Sequence, residues 1–177
     1  MGRSRYKIHE QTHPHFMTCT ILHWIPIFTR VETTNIVFDT LRYLQNNDNL
    51  KLYSYVILEN HLHLIVSSDD IAKSMRSFKS YTAKQILKLL QEKNVKTILD
   101  QLSFYKKAHK VDATYQLWQE GYAPKLIVDD KMMIDRINYI HNNPIKRGYV
   151  DEAKHWRYSS ARDYEDEKGL IDVERFW

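Results

Sequence analysis

The sequence contains one cysteine, four glycines and four prolines in 177 residues. A lone Cys19 cannot form an internal disulfide, which fits a reducing compartment and leads one to expect the cytoplasm. So little glycine and proline, beside 43% hydrophobic residues, excludes collagen-like repeats, linker arrays and bulk disorder. The apolar runs are a few residues long, far short of the ~20 that a membrane-spanning helix needs. No charged start leads into an apolar stretch and a small-residue cleavage site, so no secretory leader and no membrane partner are expected. No G-x-x-x-x-G-K-[ST] loop occurs, which argues against a nucleotide cofactor. The length suits one compact domain with a short arm. Two residue types are plentiful: nine His and twelve Tyr.

The net charge of +4 hides an uneven distribution. From Ile71 to Lys110 there are nine Lys and one Arg against Glu92 and Asp100, a local charge of +8. From Val150 to Trp177, five basic residues face eight acidic ones, or −3. A basic block on a small domain suggests a polyanionic partner, nucleic acid first among them. A solvated Lys-rich helix explains the same block equally well.

Residues 1–12 are polar and basic and read as an extended arm. His15 to Leu22 is rich in aromatic and β-branched residues and reads as a strand. Thr33 or Thr34 can cap a helix that runs to about Asn47, where an Asn-Asn-Asp-Asn run stops it. Leu52 to Leu58 and Leu62 to Val66 read as two strands turning at Glu59-Asn60, hence antiparallel. After Ser68 to Asp70, a long helix is expected whose inner stripe is Ile71, Met75, Phe78, Thr82, Ile86 and Leu89. Lys73, Arg76, Lys84 and Lys88 fall on its opposite side as a basic ridge. Val95 to Asp112 suggests a shorter helix and a loop. Tyr115 to Trp118 and Lys125 to Val128 are candidate short strands around Gly121. Asp129 or Asp130 can cap a last helix with Met133, Ile137 and Ile140 inward, ending at Asn142-Asn143-Pro144 because a residue before proline disfavours the α region. This order predicts an α+β fold: a ferredoxin-like central antiparallel sheet with helices packed on one face.

Two sets of residues could carry chemistry. In a strand, His61 and His63 project from one face while Leu62 points the other way. Two imidazoles ~7 Å apart along a strand can converge on one ion, although such a pair also arises as ordinary hydrogen-bonded histidines. On the last helix, Tyr139 and Asn143 share a face at i and i+4, off the apolar stripe. A phenol there could attack a phosphate, while the amide oxygen completes a metal site. A phenol has a pKa near 10, so it needs a cation or base to help remove its proton. A packing tyrosine and a helix-ending asparagine are the plainer account. Tyr81 and Gln85 on the basic helix form a second pair of the same kind, and spacing alone does not choose between them.

Taken together, the strand-borne His-hydrophobic-His pair and the helical Tyr-x-x-x-amide pair resemble the HUH-type single-tyrosine transposases. More closely, the chain resembles the REP-associated tyrosine transposases, the transposase IS200-like family. The likeness runs from near His15 to about Tyr164. It rests on the ordered set HFMTCTI, YSYVILENHLHLIV, FKSYTAKQI, LWQEGY, YIHNNPIKRGYV and WRYSSARDY. One departure stands out: many relatives read Met-Pro-Asn before the first histidine, where this chain has Leu58-Glu59-Asn60. A carboxylate so close to the site could alter metal affinity or the approach of a phosphate.

The resemblance implies a catalytic domain over residues 13–165, with a tail over 166–177. It implies His61, His63 and Asn143 as metal ligands and favours Tyr139 over Tyr81 as the nucleophile. It implies Mg²⁺ or Mn²⁺, although ligand chemistry alone would assign imidazoles to zinc, iron, copper or nickel. The activity it implies is cleavage and rejoining of single-stranded DNA beside hairpins through a 5′-phosphotyrosine, as in DNA transposition. Lys73, Arg76, Lys84 and Lys88 are then expected to meet backbone phosphates, and Trp118, Tyr115 and Tyr122 to stack on unpaired bases or pack in the core. Arg3 and Arg5 on the arm could reach a groove. A domesticated DNA-binding protein with little catalysis, or a metal-dependent phosphoesterase, fits the same residues less fully. Relatives work as dimers or as monomers, so the oligomeric state stays open.

Overall fold

The computed structural model of the protein describes residue 10 and residues 12–175. Arg3, Arg5 and most of the arm lie outside the described residues. β1 (His15–Thr20) is followed by two single-turn helical segments and by α1 (Val31–Asn47). β2 (Lys51–Ile57) and β3 (His61–Ser67) come next, then α2 (Ile71–Glu92) and α3 (Lys96–Phe104). β4 (Lys125–Leu126) and α4 (Asp130–Lys146) complete the regular elements named here.

The sheet order is β2-β3-β1-β4, and every neighbouring pair is antiparallel. β3 therefore sits between β1 and β2, and β1 between β3 and β4, which is the split βαβ arrangement expected. The two crossovers, α1 and α2, obey one handedness and so fall on the same face. There Met17, Cys19, Leu62, Leu64 and Val66 pack against Val37, Leu41, Met75, Phe78 and Ile86. α3 joins this layer through Leu99 and Leu102. The expectation of helices on one face thus holds for α1 to α3. α4 lies across the other face, where Met133, Ile137 and Ile140 meet Phe16, Tyr53, Val56 and Ile65. Cover on both faces explains why β2 and β3 read as nearly unbroken apolar runs.

Several local expectations shift. α1 begins at Val31 with Arg30 before it, and no side chain caps it. Thr33 and Thr34 lie inside its first turn, their hydroxyls donating to the Arg30 and Val31 carbonyls. α4 is capped as predicted, Asp129 accepting from Met132 N at 2.6 Å, and α2 carries a cap of the same kind, Asp70 accepting from Lys73 N at 2.9 Å. In α2 the inner stripe ends on Leu90 rather than Leu89. Tyr115 to Trp118 forms only an isolated bridge, Ile21 to Trp118. In β2, Leu52 faces Val66 but Ser54 faces Ile65, a bulge that moves Tyr53 to the α4 face.

α4 does not stop before Pro144. It continues to Lys146, with Pro144 buried inside it. The true end is Gly148, whose φ of +70° provides the left-handed turn and whose N–H donates to Ile145 O at 2.8 Å. Proline removes one helical hydrogen bond here, a loss confined to the final turn. The extra turn brings Arg147 to the helix end.

Beyond residue 150 the chain returns to the outer side of β2. Ile57 N donates to Tyr158 O at 2.8 Å, and Ser160 N to Tyr55 O at 3.0 Å. Trp156 Nε1 reaches Ile57 O at 3.0 Å. Beneath this segment, His141 Nε2 bonds Ser160 Oγ at 2.9 Å and Ser54 Oγ at 3.2 Å. No helix among the described residues is long and apolar enough to cross a membrane.

Candidate active site

Strand parity sends His61, His63 and Ile65 to the α4 face and their neighbours to the opposite core. The Glu59-Asn60 turn before them is gripped by the chain leaving β1: Ile21 N donates to Asn60 O at 2.8 Å and Phe28 N to Glu59 O at 2.9 Å. Both histidines are buried, with ring centroids 5.0 Å apart.

Each imidazole is oriented through its Nδ1. His61 Nδ1 donates to Asn60 Oδ1 at 2.6 Å. His63 Nδ1 lies 2.8 Å from Thr18 Oγ1 across the β1–β3 register. Among the described residues neither Nε2 is taken by a hydrogen bond, so each ring keeps one nitrogen for another partner. Burial is the main reason both rings favour the neutral form. The pKa of His61 is pushed down to about 4, with the Arg147 charge acting the same way and Glu59 opposing it. That of His63 is pushed down to about 3 by burial, then by His61 and Arg147. Neutral imidazole is the form that binds metal.

α4 supplies the facing side. The Tyr139 ring lies edge-on to His63 with centroids 5.3 Å apart, and 5.8 Å from Phe16. Phe16 itself stacks on His63 at 5.4 Å. Tyr139 is 38% exposed, so its ring touches the site and also meets solvent. Lys146 Nζ stands 5.8 Å from its centroid. One turn on, Asn143 is buried and its Nδ2 donates to Tyr139 O at 3.1 Å, which leaves Oδ1 as its remaining polar atom. A further turn on, Arg147 Nη1 donates to Glu59 Oε1 at 3.0 Å. The carboxylate that departs from the Met-Pro-Asn pattern is thus held by a cation at the end of α4.

No three His, Cys, Asp or Glu among the described residues cluster as a metal site. Two neutral imidazoles and one amide oxygen nonetheless fit an ion that accepts mixed N and O ligands and keeps positions open for phosphate oxygens.

The other candidates are placed elsewhere. Tyr81, Lys73, Arg76, Lys84 and Lys88 lie on α2, which packs on the sheet face away from the histidines. The sheet therefore separates both the rival tyrosine and the basic ridge from His61 and His63. Trp118 is only 6% exposed, packs against Phe28 and Phe78, and donates Nε1–H to Thr82 Oγ1 at 3.1 Å. As a core residue it offers no face to a base, which corrects that expectation. Sequence reasoning missed Thr18, Asn60, Phe16 and Arg147. Alternation along β1 places Phe16 and Thr18 on one face, and Arg147 follows Asn143 by four residues, so each left a weak signal.

A Haemophilus influenzae (strain Rd) protein described as a REP-associated tyrosine transposase is 31% identical over 108 residues, covering 59% of this chain. This chain spans 54%, about half, of that relative's length. A solved structure of a REP-associated tyrosine transposase bound to a REP hairpin shares the fold. It superposes with a TM-score of 0.63 at 19% identity, covering 99% of this chain and 94% of the other. The family described as Transposase IS200 like matches residues 9–143. That match spans β1 through the Tyr139–Asn143 turn, with both histidines inside it, and the chain belongs to the transposase IS200-like family.

Proposed function

We propose that this protein is a metal-dependent endonuclease and strand transferase acting on single-stranded DNA beside hairpins, with Tyr139 as its nucleophile. The observation that carries the reading is the contact of the Tyr139 ring with His63, while Tyr81 lies across the sheet. The hairpin bound by the solved relative supports a hairpin substrate here.

His61, His63 and Asn143 hold a divalent cation, Mg²⁺ or Mn²⁺, which when bound polarises the scissile phosphate and offsets charge on its oxygens. Phe16 and the α4 backbone hold the Tyr139 ring beside that phosphate. The phenol oxygen attacks phosphorus in line; the new P–O bond forms as the P–O3′ bond breaks. The phenolic proton passes to solvent, and the departing 3′ oxygen takes one up. The products are a 5′-phosphotyrosine and a free 3′-hydroxyl. Attack by a 3′-hydroxyl from another strand end reverses the step and joins new partners. The tyrosyl ester conserves the phosphodiester bond energy, so no nucleotide cofactor is needed.

The test mixes protein, Mn²⁺ and end-labelled single-stranded hairpin DNA and resolves the products on a denaturing gel. A protein–DNA adduct absent in Tyr139→Phe and present in Tyr81→Phe is the expected result. Loss of adduct in Tyr81→Phe alone overturns the assignment. Cleavage without any adduct makes the protein a phosphoesterase, and binding without cleavage a domesticated DNA-binding protein.

A further inference from the structure

Trp24 is 55% exposed, yet its indole stands edge-on to His61 with ring centroids 5.5 Å apart. The same loop stacks His23 on Tyr105 at 3.7 Å and 19°, and Phe104, 81% exposed, meets the Tyr105 ring at 5.1 Å. Exposed rings thus extend from the rim of the candidate site to the end of α3. None of them belongs to the metal-and-tyrosine chemistry.

The arrangement is held in place by its backbone. His23 and Trp24 are consecutive residues with left-handed φ of 53° and 58°, a conformation that bulky side chains rarely adopt. Strain of this kind persists only where the surroundings over-determine it. Asn60 supplies one such constraint: its Nδ2 donates to Trp24 O at 3.2 Å while its Oδ1 accepts from His61 Nδ1 at 2.6 Å. One amide therefore ties the Trp24 main chain to the His61 imidazole.

We propose that Trp24, backed by the His23–Tyr105 stack and Phe104, is a stacking platform for the unpaired bases that lead into the His61–His63 site. This rests on the reading of the protein as acting on single-stranded DNA. Every base has a π face, so such a platform binds unpaired nucleotides with little regard to sequence. The exposed Lys107, three residues beyond Phe104, adds a cation for the backbone that accompanies those bases.

The experiment measures binding by fluorescence anisotropy in EDTA, in a Tyr139→Phe background so that no adduct forms. One probe is a hairpin with a single-stranded flank, the other the same hairpin without it. Trp24→Ala is expected to weaken binding of the flanked hairpin about 10-fold, with Trp24→Phe within about 3-fold of the parent. The bare hairpin should bind all three alike, and the salt dependence should not change, because stacking releases no counterions. Phe104→Ala, a change at an exposed site, is expected to give a smaller loss on the flanked probe alone. Equal loss on both probes, or none, overturns the proposal. A change in mass by light scattering in Trp24→Ala, with DNA affinity unchanged, would assign the rings to a second copy of the chain. If the parent binds no single-stranded flank, both the platform and the functional reading fall. If it binds the flank but wild-type protein forms no adduct with Mn²⁺, only the catalytic reading falls.

Discussion

The Tyr139 phenol and the His63 imidazole meet edge to face, 5.3 Å between centroids with their planes 70° apart. One residue comes from α4 and the other from β3, 76 positions earlier in the chain. Their meeting depends on α4 lying over the sheet face opposite α1 and α2. That placement decides what a substitution on either face should do.

Thr18 holds His63 from the neighbouring strand, so if His63 binds the proposed cation, Thr18→Val should weaken that binding without removing a ligand. The loss of an outer-shell partner typically weakens metal binding by about 10–100-fold. Mn²⁺ titration followed by electron paramagnetic resonance should show that loss. The melting temperature without metal should fall as well, because valine leaves the buried His63 Nδ1 without its partner, at a cost of about 1–3 kcal/mol.

The α2 ridge faces away from the histidines, so its cations can add affinity but no chemistry. In Lys84→Gln with Lys88→Gln, DNA affinity should fall, and the slope of log K against log salt should drop by about one for each phosphate no longer neutralised. The rate of adduct formation at saturating DNA should stay that of the wild type. A lower saturating rate would place the ridge within reach of the scissile phosphate after all.

Trp118 packs inside the core, so Trp118→Ala should act on stability. A buried tryptophan truncated to alanine costs about 3–5 kcal/mol, read by urea or thermal unfolding. Affinity for single-stranded DNA, measured where the variant is still folded, should match the wild type.

His141 is buried against Ser54, Ser160 and the ring of Tyr164, and burial pushes its pKa down to about 4. A depressed histidine pKa means that the unfolded chain binds the proton more readily than the folded one. The stability it protects is complete above the ordinary pKa of about 6.5 and is lost as pH falls towards 4. His61 and His63 act with the same sign. The melting temperature should therefore fall steadily from pH 7 to pH 4. The fall should be shallower in a His141→Gln variant, whose amide carries no titratable charge.

Much of this was legible from residue order because it depends on short periods. Alternation along a strand puts His61 and His63 on one face, and i, i+4 spacing pairs Tyr139 with Asn143. Asp129 announced its helix because a side-chain cap is a local device. The face on which α4 packs was not legible, since β2 and β3 are apolar on both sides and nothing local distinguishes them. Thr18 became a partner of His63 only through the β1–β3 register, 45 residues apart. Trp118 misled because an aromatic in an irregular segment reads the same whether it is buried or exposed. Pro144 misled for another reason: one lost hydrogen bond in a last turn is tolerated when Gly148 closes the helix just beyond it.

The return of residues 156–160 to β2 has a consequence for how the chain is made and trimmed. The family match covers residues 9–143, yet the amide of Tyr55 finds its partner, Ser160 Oγ, only 105 residues later. On the ribosome β2 must wait for most of synthesis with unpaired backbone groups along one side, a template for pairing with other chains. A fragment cut to the family-matched residues would keep that state permanently. It would retain the histidines and Tyr139, and it should emerge from expression as aggregate.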